Sequence, residues 1–226
     1  MRCLRLLLLT LVTLCWLTAC SKEPQTTEIK TADSAITAPA RIFVEGQHYR
    51  TLSQPVLEPT LNRYLTEYFW LGCPHCQNFE PVLKGYLQDR PEVSLVRKHP
   101  ALGERWAFDA RVYYALAESG HAALATELLA FYQSTRIAQN SLPDAEAITG
   151  FFKKHQLDPE QLNQLAGSEA VLQAMEQANR EMLDNRINGV PSIVVNGRFL
   201  VNDTQPEDMK TTEDYYQLLD YLLAKP

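Results

Sequence analysis

Two thiols separated by two residues are the most reactive pattern in the sequence. They stand in Cys73-Pro74-His75-Cys76. A structural zinc site needs four ligands, normally a second Cys pair or closely spaced His. Neither is present: the remaining cysteines are Cys3, Cys15 and Cys20, and His48, His75, His99, His121 and His155 are dispersed. Covalent haem attachment requires His directly after the second Cys, and that residue is Gln77. A purely structural disulfide is the bland alternative, but closing so small a loop removes little unfolded-state entropy. A redox-active dithiol is the reading that uses every residue of the motif.

The elements on either side support that chemistry. Leu61 to Leu71 carries the β-branched and aromatic residues of a strand, and Pro74 fits the first turn of a helix, where its missing N–H costs nothing. Pro81 is expected to kink this helix. Cys73 then sits at a helix N-terminus, where free N–H groups and the dipole favour an anion. His75 adds a donor beside the sulfur. Both lower the thiol pKa, making Cys73 the nucleophile and Cys76 the resolving thiol. Each unit of depression is worth about 1.4 kcal/mol, or roughly 30 mV towards a stronger oxidant for a two-electron couple. On the preceding strand, Glu67 shares a face with Leu65, Phe69 and Leu71. A carboxylate there must be paired or protonated. It is read as a buried acid tuning the site, with Arg97 as partner, or Lys98 if the register slips; the alternative is an edge position open to water.

The remaining chain alternates in type. Ile42 to Thr51 and Val93 to His99 read as strands. Glu104 to Ser119 reads as a helix, with Trp106, Ala110, Tyr113 and Ala117 on one face and Gly120 as its C-cap. Further helices are expected over about Ala122 to Thr135, Pro143 to Gln156 and Pro159 to Leu165, then a long one through Val171, Met175, Ala178 and Met182. Ser192 to Val195 and Arg198 to Val201, split by Asn196-Gly197, form a strong hairpin signal. A last helix runs from about Thr212 to Ala224. Strands, a block of helices, then hairpin and helix predict an α/β fold: a mixed sheet with a helical insertion over about residues 104–168. Trp106, Tyr113 and Tyr114 read as helix core, His48, His99, His121 and His155 as surface residues, and Asp203, Glu207 and Asp208 as a solvated loop.

Composition excludes several classes. The 226 residues carry a net charge of −6 and 46% hydrophobic residues, which is ordinary globular content. The acidic balance and the scatter of Lys and Arg argue against nucleic-acid binding, which needs a clustered basic face. The run Leu6 to Leu17 is shorter than the roughly 20 residues that span a bilayer. Preceded by Arg2 and Arg5 and followed by Leu17-Thr18-Ala19-Cys20, it reads as an export signal over residues 1–19. Its end resembles the bacterial lipobox, which implies lipidation of Cys20 and attachment to a membrane. The alternative is a soluble secreted protein with Cys20 near the cut. Residues 20–40 then form the lipidated N-terminus and a flexible tether, and the folded domain covers 41–226. In that domain only Cys73 and Cys76 remain.

Glu67-Tyr68-Phe69-Trp70-Leu71-Gly72-Cys73-Pro74-His75-Cys76 followed by Phe79-Glu80-Pro81, and Gly189-Val190-Pro191-Ser192 before Asn196-Gly197, together resemble the DsbA family of thiol:disulfide oxidoreductases. The resemblance covers roughly Phe43 to Ala224. It implies a thioredoxin fold with an inserted helical domain, and a catalytic set of Cys73, Pro74, His75, Cys76 and a cis-Pro191 facing Cys73. The backbone of Val190 would then pair with an extended substrate. Pro-His between the cysteines and Val before the proline resemble the oxidase type. The function implied is donation of the Cys73–Cys76 disulfide to newly exported proteins in the periplasm, with reoxidation by a quinone-linked membrane oxidase of the DsbB kind. No cofactor beyond the disulfide, no metal and a monomer are expected. A membrane-tethered reductase or isomerase, and a redox-inert lipoprotein binding module, are the competing readings. Ser21 replaces the Asp that commonly retains lipoproteins at the inner membrane and points to the outer one, whereas an inner-membrane oxidase favours an inner anchor.

Overall fold

A computed structural model describes residues 41–204 and 206–226. The export signal, Cys20 and the tether lie outside the described residues. The chain order is β1 (Tyr49–Thr51), β2 (Tyr64–Tyr68), α1 (Pro74–Asp89), β3 (Ser94–Lys98), α2 (Glu104–Leu116), α3 (Ala125–Gln139), α4 (Ala145–Lys154), α5 (Pro159–Ala166), α6 (Glu169–Asp184), β4 (Ser192–Val195), β5 (Phe199–Val201) and α7 (Thr212–Ala224). A π turn over Ala117–His121 and a 3-10 turn over Ala122–Leu124 join α2 to α3, and Gly120 supplies the left-handed residue there, at φ 83°.

The five strands form one sheet in the order β1-β5-β4-β2-β3. Only β2 and β3 run parallel; the other neighbours are antiparallel. The sheet is covered on both faces. Leu65, Ile193, Val195, Phe199 and Val201 pack with Leu83 and Tyr86 of α1 and with Leu218, Leu219 and Leu222 of α7. Tyr68, Val194 and Leu200 pack on the other face with Leu52, Val56, Met182 and Ile187. Burial on both sides explains why all five residues of β2 are buried: the alternation of a half-exposed strand is absent. A third core joins the helical block to the end of β2, where Phe69, Leu71, Cys73 and Cys76 meet Ala110, Leu116, Leu128 and Tyr132.

Several elements are shorter than their sequence signals. The first strand is confined to Tyr49–Thr51, and β2 stops at Tyr68 because the chain must turn to enter α1. Pro81 lies inside α1, which runs from Pro74 to Asp89 through that residue. Two histidines read as surface residues are in the interior. His48 is 2% exposed, its ring bonded to the Val44 backbone and to Asp208 at 3.1 Å. His99 is fully buried, between Phe69 and Tyr113. His121 is exposed and His155 half-buried, while Trp106 is half-buried where Tyr113 and Tyr114 are core.

The hairpin behaves as its sequence demands. Asn196 and Gly197 both take positive φ, 48° and 65°, the pair of left-handed residues that a two-residue turn matched to strand twist requires. At Gly197 there is also no room for a side chain: a Cβ would stand 2.1 Å from the Val56 carbonyl oxygen. Gly197→Ala should therefore destabilise the fold by at least about 1–3 kcal/mol, read as a lower urea midpoint with an unchanged slope. A midpoint equal to wild type would show that the Val56 segment yields freely.

Candidate active site

Cys73 is the N-cap residue of α1 and Pro74 its first helical residue. The strand-to-helix turn before it is held from several directions. Cys73 N–H donates to the Trp70 carbonyl at 3.0 Å and Leu71 N–H to His99 Nε2 at 3.2 Å. The Leu71 carbonyl accepts from Gln77 Nε2 at 2.8 Å, and Arg136 of α3 donates to Gln77 Oε1 at 2.9 Å. Acting as acceptor at Nε2, His99 is neutral, with its Nδ1–H on the Pro100 carbonyl at 2.9 Å. Burial pushes its pKa down to about 3. None of His99, Gln77 or Arg136 was singled out from sequence as part of the site. Each reaches the turn through a partner far along the chain or through a bond that composition does not signal.

The two thiols have opposite environments. The Cys73 thiol is lowered to about 6: it accepts a hydrogen bond from the Cys76 thiol, which outweighs its burial, helped by the backbone N–H groups of Cys76 and His75 and by the charge of the His75 ring. The largest cause is the second thiol, with exposed His75 acting last and through charge. Cys76 is sealed at 0% exposure and its pKa is driven upward by donating to Cys73 and by burial. A thiolate at Cys73 and a neutral thiol at Cys76 is thus the stable reduced state near neutral pH.

Across from the sulfur lies the loop before β4. The Val190–Pro191 peptide is cis, and the Val190 carbonyl stands 3.6 Å from Cys73 Sγ. A groove of about 420 Å³ opens beside it, lined by His75, Phe79, Val190, Pro191 and Tyr215 among others. Ser192 Oγ donates to the Gly189 carbonyl at 2.8 Å and ties the loop to itself.

Beneath the thiols, Glu67 is fully buried. Arg97, its register partner in the parallel pair, donates through Nε at 2.8 Å and reaches Glu80 of α1 through Nη2 at 2.5 Å. Thr126 closes the chain on Glu80 Oε1. Of the two cations considered for Glu67, Arg97 is the partner. Lys98 points to the other face and pairs with Glu181 at 2.8 Å and Glu58 at 3.1 Å. Burial raises the Glu67 carboxyl to about 7 even against Arg97, and its second oxygen, Oε1, has no hydrogen-bond partner among the described residues. Those residues hold no cluster of three or more His, Cys, Asp or Glu that could bind a metal ion.

A nucleophilic thiol at a helix N-terminus, a buried second thiol one turn on and a cis-proline loop against the first define a dithiol–disulfide exchanger on a thioredoxin fold. The model of the DSBA-like thioredoxin domain family matches residues 64–217, and the chain belongs to that family. It is 29% identical over 188 residues to the thiol:disulfide interchange protein DsbA of Azotobacter vinelandii, covering 79% of this chain and 84% of that one. With the DsbA of Pseudomonas aeruginosa it shares 27% over 195 residues, covering 83% and 88%. A crystal structure of Pseudomonas aeruginosa DsbA superposes with a TM-score of 0.65 at 25% identity, over 80% of this chain and 93% of that one. The chain is a thiol:disulfide oxidoreductase of this family.

Two measurements check the electrostatics. The alkylation rate of Cys73 in the reduced protein should titrate with a midpoint near pH 6, well below the ordinary thiol value of about 8.5. The midpoint should move only modestly upward in His75→Ser, since the ring acts last. A wild-type midpoint near 8.5 would refute the arrangement of donors. For Glu67, the folded carboxyl at about 7 lies above an unfolded value of about 4.3. The folded state therefore holds the extra proton between these values, and the contribution of Glu67 to stability falls as pH rises through that window. Glu67→Gln should flatten the decline in denaturant midpoint from pH 4.5 to 7.5; an unchanged slope would place the titration elsewhere.

Proposed function

We propose that the protein oxidises dithiols in newly exported proteins by giving away a Cys73–Cys76 disulfide. A substrate thiolate attacks Cys73 Sγ. The Cys73–Cys76 bond breaks, its electron pair stays on Cys76, and Cys76 takes up a proton. A second substrate thiolate then attacks the substrate sulfur of the mixed disulfide. It forms the substrate disulfide and releases Cys73 as a thiolate. Two electrons have passed to the protein.

The observation that carries the direction is the set of donors on Cys73. The Cys76 thiol and the N–H groups of Cys76 and His75 stabilise a sulfur anion, which exists only in the reduced form. They therefore favour reduction of the protein and make its disulfide a good oxidant. Pro74 starts the helix that presents those N–H groups. The Val190 carbonyl, 3.6 Å from Cys73 Sγ, lies where the backbone of a substrate joined to Cys73 can pair with the loop, and Pro191 holds that loop in place. Glu67 with Arg97 forms the base of the site and tunes the thiols above. Lys98, turned to the opposite face, is left out of this role.

The reading of the setting rests on the first forty residues of the sequence, with the family as support. The export signal places the protein in the periplasm, and lipid on Cys20 tethers it to a membrane through residues 21–40. The folded part acts as a monomer. A DsbB-like, quinone-linked oxidase in the membrane regenerates the disulfide. The redox-active disulfide serves as the protein's own redox group, with no bound cofactor.

Trapping tests the assignment of the sulfurs. Cys76→Ala should accumulate mixed disulfides with exported proteins through Cys73, and Cys73→Ala should accumulate none. Trapping through Cys76 would overturn it. The direction is tested by equilibrating the Cys73–Cys76 pair with glutathione: a couple more oxidising than glutathione supports the oxidase, and one far more reducing supports a reductase.

A further inference from the structure

Cys73 has a second apolar flank that the groove does not include. Trp70 and Trp106 are both half-buried, and their rings stack at 4.5 Å and 13°. The Trp70 ring lies directly on the backbone before the nucleophile: a Cβ on Gly72 would stand 2.6 Å from Trp70 Cζ2 and 2.8 Å from Leu142 Cδ1. Glycine at position 72 is what lets an indole come so close. Trp70, Leu142, Ala101 and Val190 all pack against the core that contains Cys73. Trp70 thus stands beside the nucleophile twice over: its ring lies on Gly72, and its carbonyl accepts the Cys73 N–H at 3.0 Å.

Its polarity is fixed from below. Trp70 Nε1 donates to Asp109 Oδ2 at 2.7 Å. Asp109 is fully buried and also accepts from Tyr132 Oη at 2.8 Å and from Arg105 at 2.7 Å. The one donor of the Trp70 indole is thus spent, and the charges of Asp109 and Arg105 offset each other. With one face of the Trp70 ring covered by Trp106, what the half-buried stacked pair leaves open is apolar ring surface with no free Trp70 donor. A charged side chain placed there would lose water and find no partner, whereas an apolar or aromatic one gains area and ring contact.

We propose that Trp70 and Trp106 form a ledge that receives the apolar or aromatic side chain next to the reacting cysteine of a polypeptide substrate, with Asp109 as the positioning residue that locks the indole. This rests on the exchange reading above. A residue adjacent to the substrate cysteine lies about 3.3–3.6 Å along its chain, and Trp70 is bonded through its carbonyl to the backbone of Cys73, to which that cysteine is joined.

The test uses the oxidised protein and monothiol peptides in which the cysteine is flanked by Gly on both sides, or by Phe on one side or the other. Mixed disulfide on Cys73 is followed by acid quench and mass spectrometry. The wild type should react about tenfold faster with a Phe-flanked peptide than with the Gly-flanked one, a ratio equivalent to about 1.4 kcal/mol. Trp106→Ala should reduce that ratio to about twofold, and Trp106→Leu, which keeps α2 packed if the alanine variant fails to fold, should also lower it. Trp106→Phe should restore most of it. Asp109→Asn should lower the ratio together with the near-ultraviolet circular dichroism of the indoles, a signature that mere loss of stability would not give. An equal rate for all peptides in the wild type, or an undiminished ratio in folded Trp106→Ala and Trp106→Leu, would overturn the ledge. Absence of exchange with every peptide, Gly-flanked included, would instead overturn the exchange reading beneath it.

Discussion

Cys73 accepts a hydrogen bond from a thiol that is itself closed off from water, and the surrounding structure serves to keep those two sulfurs unequal. The first must end a turn so that backbone N–H groups point at it, and α1 provides this by starting at Pro74. The second must stay neutral, so it lies one turn deeper against the core of the helical block. Neither condition is met by the Cys-Pro-His-Cys sequence alone. Both need the turn after β2 to be immobile, which explains why so many bonds converge on Leu71: its N–H is taken by His99 and its carbonyl by Gln77.

The same economy appears in the charges below. Neighbouring residues of β3 send cations to opposite faces of the sheet. Arg97 meets Glu67 and Glu80 under α1, and Lys98 meets Glu58 and Glu181 beside α6. Tyr68 adds a bond to Glu181 at 2.7 Å. Such buried pairs add little net stability because desolvation consumes most of the Coulomb attraction. Glu67 shows the cost openly, since its carboxyl remains half-protonated near neutrality with a guanidinium at 2.8 Å. Its charge also disfavours the anion at Cys76.

Features carried by adjacent residues could be read from the sequence. The dithiol, the helix beginning at Pro74, the Asn196-Gly197 hairpin and the last helix all depend on residues a few positions apart. The partner of Glu67 was also within reach, because face parity on two strands puts Arg97 opposite it, as the parallel register does. What escaped depends on distance along the chain. His99 meets Leu71 across 28 residues, Asp109 meets Trp70 across 39 and Arg136 meets Gln77 across 59. Polarity misled for His48 and His99, since imidazole is accepted in a core once both nitrogens have partners.

The sheet order has a kinetic consequence. In the finished sheet β2 lies beside β4, and Leu65 pairs with Val195 across 130 residues. Closing so long a flexible loop costs on the order of 4 kcal/mol of chain entropy before any pairing offsets it. Most of the intervening chain is α2 to α6, helices whose own turns form fast. Once those helices have condensed, the ends of β3 and β4 are joined by a compact body, and the effective loop shortens to the remaining flexible segments, lowering the cost by about 1 kcal/mol. The helical block is thus a folding spacer as well as a wall of the site. Until β4 has joined β2, the loop bearing Val190 and Pro191 is not held against Cys73.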